Sequence, residues 1–199
     1  MIDLSSISKE APYERFFSEY TEASILDQPN IEAICISSFD KKRGEPDSRF
    51  VNLKTINGNE WIFFTNYNSP KAQQFSSVDN ISASFFWHKT NCQIRIKAVI
   101  KKTSSKYSDD YFKSRHRSKN LLAIASDQSN TINSYEDFLS KYENFKESNI
   151  DLSSRPDYWG GYIFTPYYFE FWKGHESRLN KREVFTKTND VWTSSFLQP

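Results

Sequence analysis

Apolar and polar residues alternate over much of this 199-residue chain, which is the pattern of strands that bury one face. One segment departs from it early, because aromatic residues recur at helical spacing between Tyr13 and Tyr20, directly after Pro12. This spacing predicts an amphipathic helix that begins near Pro12. Residues 31–37 then predict a strand, and the charged, turn-rich residues 39–47 predict an exposed connection.

Two hairpins are predicted in the first half of the chain. Asn57-Gly58 is a type I′ turn signal between residues 49–54 and residues 61–65, so we expect these two segments to pair antiparallel. Residues 81–87 and 92–101 alternate in the same way and predict the second hairpin.

The rest of the chain predicts mainly helices up to about Lys146 and then strands from residue 159 onwards. Ser69-Pro70 resembles an N-cap with proline at the first helical position and predicts a short helix. Further helices are predicted at about 105–115, at about 119–125, and from a capping box at Ser134 to about Lys146, and strands are predicted at 159–164, 168–172, 182–186 and 191–196.

About eight antiparallel strands with helices between them predict a β-rich α+β fold. Closing so many strands into a barrel avoids long exposed edges, so we expect a barrel with flanking helices. The chain has no repeat or low-complexity segment, and its length suits one core. We therefore predict a single domain over residues 1–199.

Composition excludes several classes of protein. Lys and Arg total 26 against 25 for Asp and Glu, so we expect neither nucleic acid nor an anionic membrane as the main partner. There is no apolar run of membrane-spanning length and no secretion signal after Met1, which predicts a cytoplasmic protein. The two cysteines lie in strand-like segments, and the three histidines lack ligand spacing, so we predict no metal site.

Two groups of side chains are candidates for ligand binding. Trp172, Arg178 and Arg182 lie on the predicted C-terminal hairpin and suit a flat, anionic ligand, because an indole packs on rings and a guanidinium binds oxygens. Tyr111 and Arg115 are four residues apart, so on one helix they share a face that suits a phosphate. The alternatives are a core tryptophan with surface arginines, and a solvated helix end. The five glycines form no phosphate-binding loop, so a phosphorylated ligand would be bound mainly by side chains.

Eight short motifs along the chain resemble one known family. They are Arg49-Phe-Val-Asn-Leu-Lys54, Phe64-Thr65-Asn66, Ser69-Pro70-Lys71, Gln93-Ile94-Arg95, Tyr111-Phe-Lys-Ser-Arg115, Ser126-Asp-Gln128-Ser129, Trp159-Gly160-Gly161, and Glu170-Phe-Trp172 with Arg178-Leu-Asn-Lys-Arg182. All eight occur in order from about Ala11 to Pro199. The chain thus resembles the pyridoxamine 5′-phosphate oxidase family of flavin enzymes, which have an FMN-binding split β-barrel that is antiparallel, Greek-key-like and flanked by helices.

The resemblance implies a homodimer with FMN at the subunit interface, in which residues 159–199 supply dimerisation and active-site hairpins. The implied FMN contacts are Arg49, Phe50, Val51, Asn52, Leu53, Lys54, Phe64, Thr65, Lys71, Gln93, Gln128, Ser129, Trp172 and Arg182. The implied contacts to a small phosphorylated aromatic substrate are Lys54, Tyr111, Arg115, Lys119, Arg178 and Asn180, and the implied catalytic residues among them are Arg178 and Asn180.

The resemblance also implies a reaction. In such enzymes a hydride passes from the C4′ carbon of pyridoxamine or pyridoxine 5′-phosphate to flavin N5, and O2 then reoxidises the flavin, which yields pyridoxal 5′-phosphate and H2O2. The cofactor carries the chemistry, while the protein positions and desolvates the reactants.

Three positions depart from the family pattern and keep other functions open. Asn180 stands where the family has a substrate-contacting His, Lys119 where it has a phosphate-binding Ser, and Pro70 where it has an Arg that helps bind FMN phosphate. One alternative is a paralogous FMN oxidase acting on another anionic aromatic substrate, as in phenazine biosynthesis. The other is a non-catalytic protein that binds flavin or pyridoxal phosphate.

Overall fold

A computed structural model describes residues 1–148 and 150–199, and this part of the chain contains ten strands and five helices. They are β1 (Asp3–Ile7), α1 (Ala11–Ile25), β2 (Ala33–Asp40), β3 (Glu45–Asn52), β4 (Thr55–Gly58), β5 (Glu60–Asn66), α2 (Pro70–Ser77), β6 (Asn80–Trp87), β7 (Cys92–Lys102), α3 (Ser105–Ser114), α4 (Arg117–Ala125), α5 (Tyr135–Glu147), β8 (Trp159–Lys173), β9 (Lys181–Thr188) and β10 (Val191–Leu197). The predicted β-rich α+β class is confirmed.

The described residues form two compact units. The first contains Met1–Phe63, Gln74–Lys101 and Ile163–Pro199, and the second contains Phe64–Gln73 and Lys102–Tyr162. A single domain over residues 1–199 stays a prediction. Within the described residues, no helix is long and apolar enough to cross a membrane.

Most of the first unit is one sheet. Its strand order is β1-β4-β5-β8-β7-β6-β2-β3, with β9 paired to β8 and β10 paired to β9. The hairpins β2–β3, β4–β5, β6–β7 and β9–β10 are antiparallel, whereas β1 pairs with β4 in parallel. Consecutive strands thus pair mostly with their neighbours in sequence, as short connections favour.

Helix α1 covers the buried face of this sheet with its aromatic stripe. The Phe16 ring lies 4.6 Å from the Trp61 ring and 5.8 Å from the Trp87 ring, and Tyr13 meets Phe169 edge-on at 5.4 Å. All five rings are at most 1% exposed. Each aromatic pair adds roughly 0.5–1.5 kcal/mol to the burial term, so this cluster anchors α1 to the sheet.

The second unit is built around α3, α4 and α5. Ser104 caps α3 by accepting a hydrogen bond from Tyr107 N, and Ser134 caps α5 in the same way for Asp137 N. These caps satisfy backbone N–H groups that have no partner within the helix. The helix starts at Pro12, Pro70 and Ser134 were readable from sequence, and the structure confirms them.

Two strand predictions were wrong because strand pairing is decided beyond the local pattern. Residues 39–47 are mostly hairpin and not an irregular connection, since β2 reaches Asp40, β3 begins at Glu45, and Gly44 turns the chain with φ of 72°. The predicted turn is displaced by one residue and joins β4 to β5, because Asn57 pairs with Glu60 and leaves Gly58, with a φ of 57°, and Asn59 between the strands. The strand that carries Arg49 pairs instead with β2.

Two further differences concern the strands β8 and β1. Residues 159–164 and 168–172, predicted as separate strands, belong to the single strand β8, which continues through Pro166. Proline interrupts a strand only where its missing N–H is needed for the ladder. Strand β1 was not predicted, because its polar sequence lacks the alternation that marks a half-buried strand.

Candidate cofactor and substrate site

In the second unit, the end of β5 and the start of α2 bring three of the predicted FMN contacts together. The buried Lys71 Nζ lies 3.2 Å from Thr65 Oγ1 and 3.3 Å from Ser69 Oγ. Gln128 Oε1 accepts hydrogen bonds from Asn66 N at 3.3 Å and from Thr65 Oγ1 at 3.5 Å. An ammonium group, hydroxyls and an amide therefore converge on one locus.

This donor set fits FMN. An ammonium and hydroxyl groups bind phosphate oxygens, and amides pair with the carbonyl and N–H edge of a flavin ring. Ser129 follows Gln128 in an exposed turn and has a φ of 71°, which is uncommon for a residue other than glycine. Ser129, a predicted FMN contact, therefore has neither extended nor right-handed helical backbone.

A stack of aromatic rings lies beside this locus. Phe64, another predicted FMN contact, stacks on Tyr111 with ring centroids 3.7 Å apart, and the Trp159 ring lies 5.3 Å from Phe64. The Arg115 guanidinium sits 4.4 Å from the centre of the Trp159 ring. Burial raises the pKa of Tyr111, so its phenol stays protonated and can donate a hydrogen bond.

Arg115 is partly buried and incompletely paired. Its Nη2 donates to Lys119 O at 3.3 Å, while its buried Nη1 has no hydrogen-bond partner among the described residues. Burial lowers the pKa of this guanidinium, although Tyr111 acts in the opposite direction. Helix α3 ends at Ser114, so Arg115 already has extended backbone, and the predicted shared helix face with Tyr111 holds only in part.

A cavity of about 300 Å³ in the second unit opens onto Arg115. It is lined by Asn66, Arg115, Lys119, Leu122, Ala123, Ser126, Gln128 and Trp159. Two of the predicted substrate contacts, Arg115 and Lys119, therefore face one space that also contains Gln128. A pocket with two cations, amide donors and an aromatic wall suits an anionic aromatic molecule.

In the first unit, the predicted FMN contacts on β3 and directly after it differ in their exposure to solvent. Phe50 is 72% exposed and Asn52 is exposed, whereas Leu53 is 0% exposed, backbone included. Lys54 and Val51 are half-buried. Arg49 lies on the opposite face from Phe50, and its guanidinium is bound by groups of the protein itself.

The C-terminal hairpin of the first unit places Trp172 directly opposite Arg182 in the β8–β9 register. Arg182 Nε donates to the buried Glu170 Oε1 at 2.9 Å, and Arg95 Nη1 donates to Glu170 Oε2 at 2.8 Å. Gln93, on the same strand as Arg95, is half-buried. Glu170 and Arg95 were not predicted as site residues, although both lie in motifs that marked the family.

The loop between β8 and β9 carries Arg178 and Asn180. Asn180 Oδ1 accepts a hydrogen bond from His175 N at 3.0 Å, and Arg178 N donates to His175 O at 2.9 Å. Arg178 is exposed and has a φ of 61°. The Asn180 side chain therefore holds the loop that presents Arg178.

Sequence comparisons identify the family. The family model described as Pyridoxamine 5′-phosphate oxidase matches residues 23–146, and the one described as Pyridoxine 5′-phosphate oxidase C-terminal dimerisation region matches residues 159–199. A pyridoxine/pyridoxamine 5′-phosphate oxidase of Leptospira biflexa is 37% identical over 190 residues, which is 95% of this chain and 88% of that protein. The Haemophilus influenzae protein of the same name is 35% identical over 184 residues, 92% of this chain and 87% of its own length.

Solved structures agree in fold. PhzG from Burkholderia lata 383, in complex with tetrahydrophenazine-1-carboxylic acid, superposes with a TM-score of 0.88 at 22% identity over 94% of this chain and 92% of its own. A pyridoxamine 5′-phosphate oxidase-related, FMN-binding protein from Nostoc punctiforme has a TM-score of 0.79 at 13% identity, with 96% and 99% covered. The split-barrel prediction is thereby confirmed. By its sequence and its fold, this chain belongs to the pyridoxamine 5′-phosphate oxidase family of oxidoreductases, whose members bind FMN.

Proposed function

We propose that this protein is an FMN-dependent oxidase that converts pyridoxamine or pyridoxine 5′-phosphate to pyridoxal 5′-phosphate and reduces O2 to H2O2. The observation that carries the proposal is the cavity of the second unit that Arg115 and Lys119 both line, together with the buried Arg115 Nη1, which has no hydrogen-bond partner among the described residues. A buried cationic donor without a partner is costly unless a ligand completes it. The phosphate of the substrate would supply the missing acceptor.

Each group of residues has a role in this proposal. Bound FMN supplies the hydride acceptor and the reaction with oxygen. Lys71, Thr65 and Gln128 bind and orient the cofactor through the charged, hydroxyl and amide groups that converge near α2. Arg115 and Lys119 bind the substrate phosphate, and the protonated Tyr111 adds a hydrogen bond to it.

Residues of the first unit are assigned further contacts to the flavin and to the substrate. On the C-terminal hairpin, Trp172 and Arg182 contact the flavin, whereas Arg178 and Asn180 contact the substrate. Arg49 to Lys54 and Gln93 contribute further flavin contacts, as do Phe64 and Ser129 of the second unit. The match to a dimerisation region supports a homodimer, and we place the protein in the cytoplasm.

An anaerobic half-reaction tests the proposal. Purified protein loaded with FMN is mixed without oxygen with pyridoxine 5′-phosphate or pyridoxamine 5′-phosphate, and the visible flavin band is followed. We expect the band to bleach with at least one of them and to return with H2O2 on admission of air. An unbleached band with both substrates would refute the assigned reaction, and bound flavin that produces no peroxide would indicate a binding protein.

A second candidate is an FMN oxidase of another anionic aromatic substrate, such as a carboxylate. It is favoured by Lys119, which adds a second positive charge to the cavity that Arg115 lines. It is also favoured by Asn180, whose Oδ1 already accepts a hydrogen bond from His175 N. A compact ammonium binds a carboxylate as readily as a phosphate.

The variant Asn180→His separates the two candidates. If the substrate is a pyridoxine phosphate, we expect the added imidazole to increase kcat/KM for it by roughly tenfold or more, the size of one hydrogen bond made in the transition state. Stopped-flow reduction of the flavin measures this. The control Asn180→Asp keeps an oxygen acceptor for His175 N, and an unchanged rate in Asn180→His would favour the second candidate.

A further inference from the structure

The guanidinium of Arg49 is saturated by the protein. Its Nη1 donates to Ser38 Oγ at 2.6 Å and to Ile36 O at 3.3 Å, while its Nη2 donates to Gln74 Oε1 at 3.0 Å and to the carboxylate of Asp47. A guanidinium has four terminal N–H bonds, so this fork is fully used. An anion that binds it edge-on must displace one of these four partners.

Three of the four partners are fixed in the core. Ile36 is 0% exposed, Ser38 is 5% exposed and Gln74 is 6% exposed, and Ser38 Oγ also donates a hydrogen bond to Gln74 Oε1, so these three partners belong to a buried network that water does not reach. The Asp47 side chain, by contrast, is 48% exposed, so water can take over its solvation. Asp47 is therefore the partner that an incoming anion can displace at the lowest cost.

Asp47 remains charged at neutral pH. Burial opposes ionisation, but the hydrogen bond from Gln74 Nε2 and the charge of Arg49 together lower the pKa of this carboxyl below its usual range. A carboxylate and a phosphate both match the planar fork of a guanidinium, and they repel each other. The two anions thus compete for Arg49.

We propose that Asp47 is a specificity-determining residue of the flavin site: it occupies Arg49 in competition with the flavin phosphate and so reduces the preference of the protein for FMN over riboflavin. The inference rests on the proposed function, in which Arg49 contacts the cofactor, and it assigns that contact to the phosphate because the phosphate is the anionic group that matches a guanidinium. Asp47 and Arg49 are two residues apart on β3 and therefore lie on the same face of the strand, which is the arrangement that the competition requires.

Flavin titrations at pH 7.5 test the competition, because phosphate is then largely dianionic. Quenching of flavin fluorescence gives Kd for FMN and for riboflavin with the wild-type protein and with Asp47→Asn. We expect the variant to bind FMN about tenfold more tightly and to bind riboflavin as the wild type does. The matched control is Asp190→Asn, the same change at a fully exposed carboxylate that lies 3.6 Å from Lys187.

The possible outcomes separate the two proposals. Flavin binding with the same FMN-to-riboflavin ratio in the wild type and in Asp47→Asn would overturn the competition alone, as would weaker FMN binding, which would make Asp47 a support of Arg49. A wild-type protein that binds neither flavin would overturn the proposed function and the competition together. Urea unfolding verifies that the variant is folded, and Asp47→Ser, which also removes the charge, repeats the test if it is not.

Discussion

Arg115 is a charged side chain in a partly buried position, and burial disfavours its charged form. Its guanidinium lies against the Trp159 ring, burial lowers its pKa, and one buried nitrogen lacks a hydrogen-bond partner within the described part of the chain. Such a group is destabilising in the free protein and becomes favourable when an anion completes its hydrogen bonds. In the proposed function, Arg115 would therefore contribute to ligand binding at the expense of stability.

Removing this side chain should weaken binding of phosphorylated ligands only. We expect Arg115→Ala to raise Kd for pyridoxal 5′-phosphate by roughly 10- to 100-fold, since a charge-assisted hydrogen bond contributes about 1.5–3 kcal/mol. Isothermal titration calorimetry measures this change. Unphosphorylated pyridoxal should lose little affinity, and an equal loss for both ligands would contradict a phosphate contact.

Arg117 provides the control for this experiment. It lies two residues further along the chain, is exposed, and does not line the cavity. Arg117→Ala removes the same charge from the same region of the second unit. We expect it to leave Kd within about twofold, because charges exposed to water are strongly screened.

At the scale of elements, Glu170 joins three strands of the first unit. This side chain is 2% exposed on β8, and its carboxylate accepts hydrogen bonds from Arg95 on β7 and from Arg182 on β9, as well as from the Tyr168 hydroxyl. The ion pairs fix the guanidinium of Arg182 opposite Trp172. Glu170 therefore positions a predicted flavin contact without being one itself.

Truncation of Glu170 should destabilise the first unit. We expect Glu170→Ala to lower the free energy of unfolding by about 1–3 kcal/mol, because it removes a buried acceptor and leaves Arg182, whose side chain is 26% exposed, without its ion pair. Urea unfolding followed by tryptophan fluorescence measures the change. The surface variant Glu143→Ala, which removes an exposed pair with Lys146, should change stability by about 0.5 kcal/mol or less, and a similar small effect for Glu170→Ala would contradict this account.

At the scale of the whole molecule, the C-terminal strands expose apolar side chains that a second copy of the chain can cover. Val191 is 63% exposed and Phe196 is 66% exposed on β10, within the residues that match a dimerisation region. Exposed apolar side chains in a segment that matches a dimerisation region favour contact with a second chain. This surface belongs to the same region as Trp172 and Arg182.

We expect the purified protein to be a homodimer. Sedimentation equilibrium at micromolar concentration should give a mass twice the 23.4 kDa of one chain. The double variant Val191→Ser and Phe196→Ser should shift the protein toward the monomer, because it removes apolar area from the contact. A wild-type protein that sediments as a monomer would contradict the homodimer.

Local signals in the sequence determined the elements and the family. Periodicity and turn chemistry located α1, α2, α5 and the β6–β7 hairpin, because those features depend on residues a few positions apart. The order of the eight motifs alone indicated the family. The residue types at positions 71, 115 and 182 likewise indicated an anionic ligand without a glycine-rich loop.

Only the tertiary structure decided which groups meet. The strand of Arg49 pairs with β2 and not with β5, and three of the four hydrogen-bond partners of Arg49 lie on β2 and α2, so the residues near it in sequence do not show that its hydrogen bonds are all used. Arg115 Nη1, which has no hydrogen-bond partner in the described part of the chain, is likewise buried by contacts with residues distant in sequence, such as Trp159. Contacts between distant parts of the chain decide which strands pair, which side chains are buried and which groups compete for one donor. The pattern of residues along the sequence does not show these contacts.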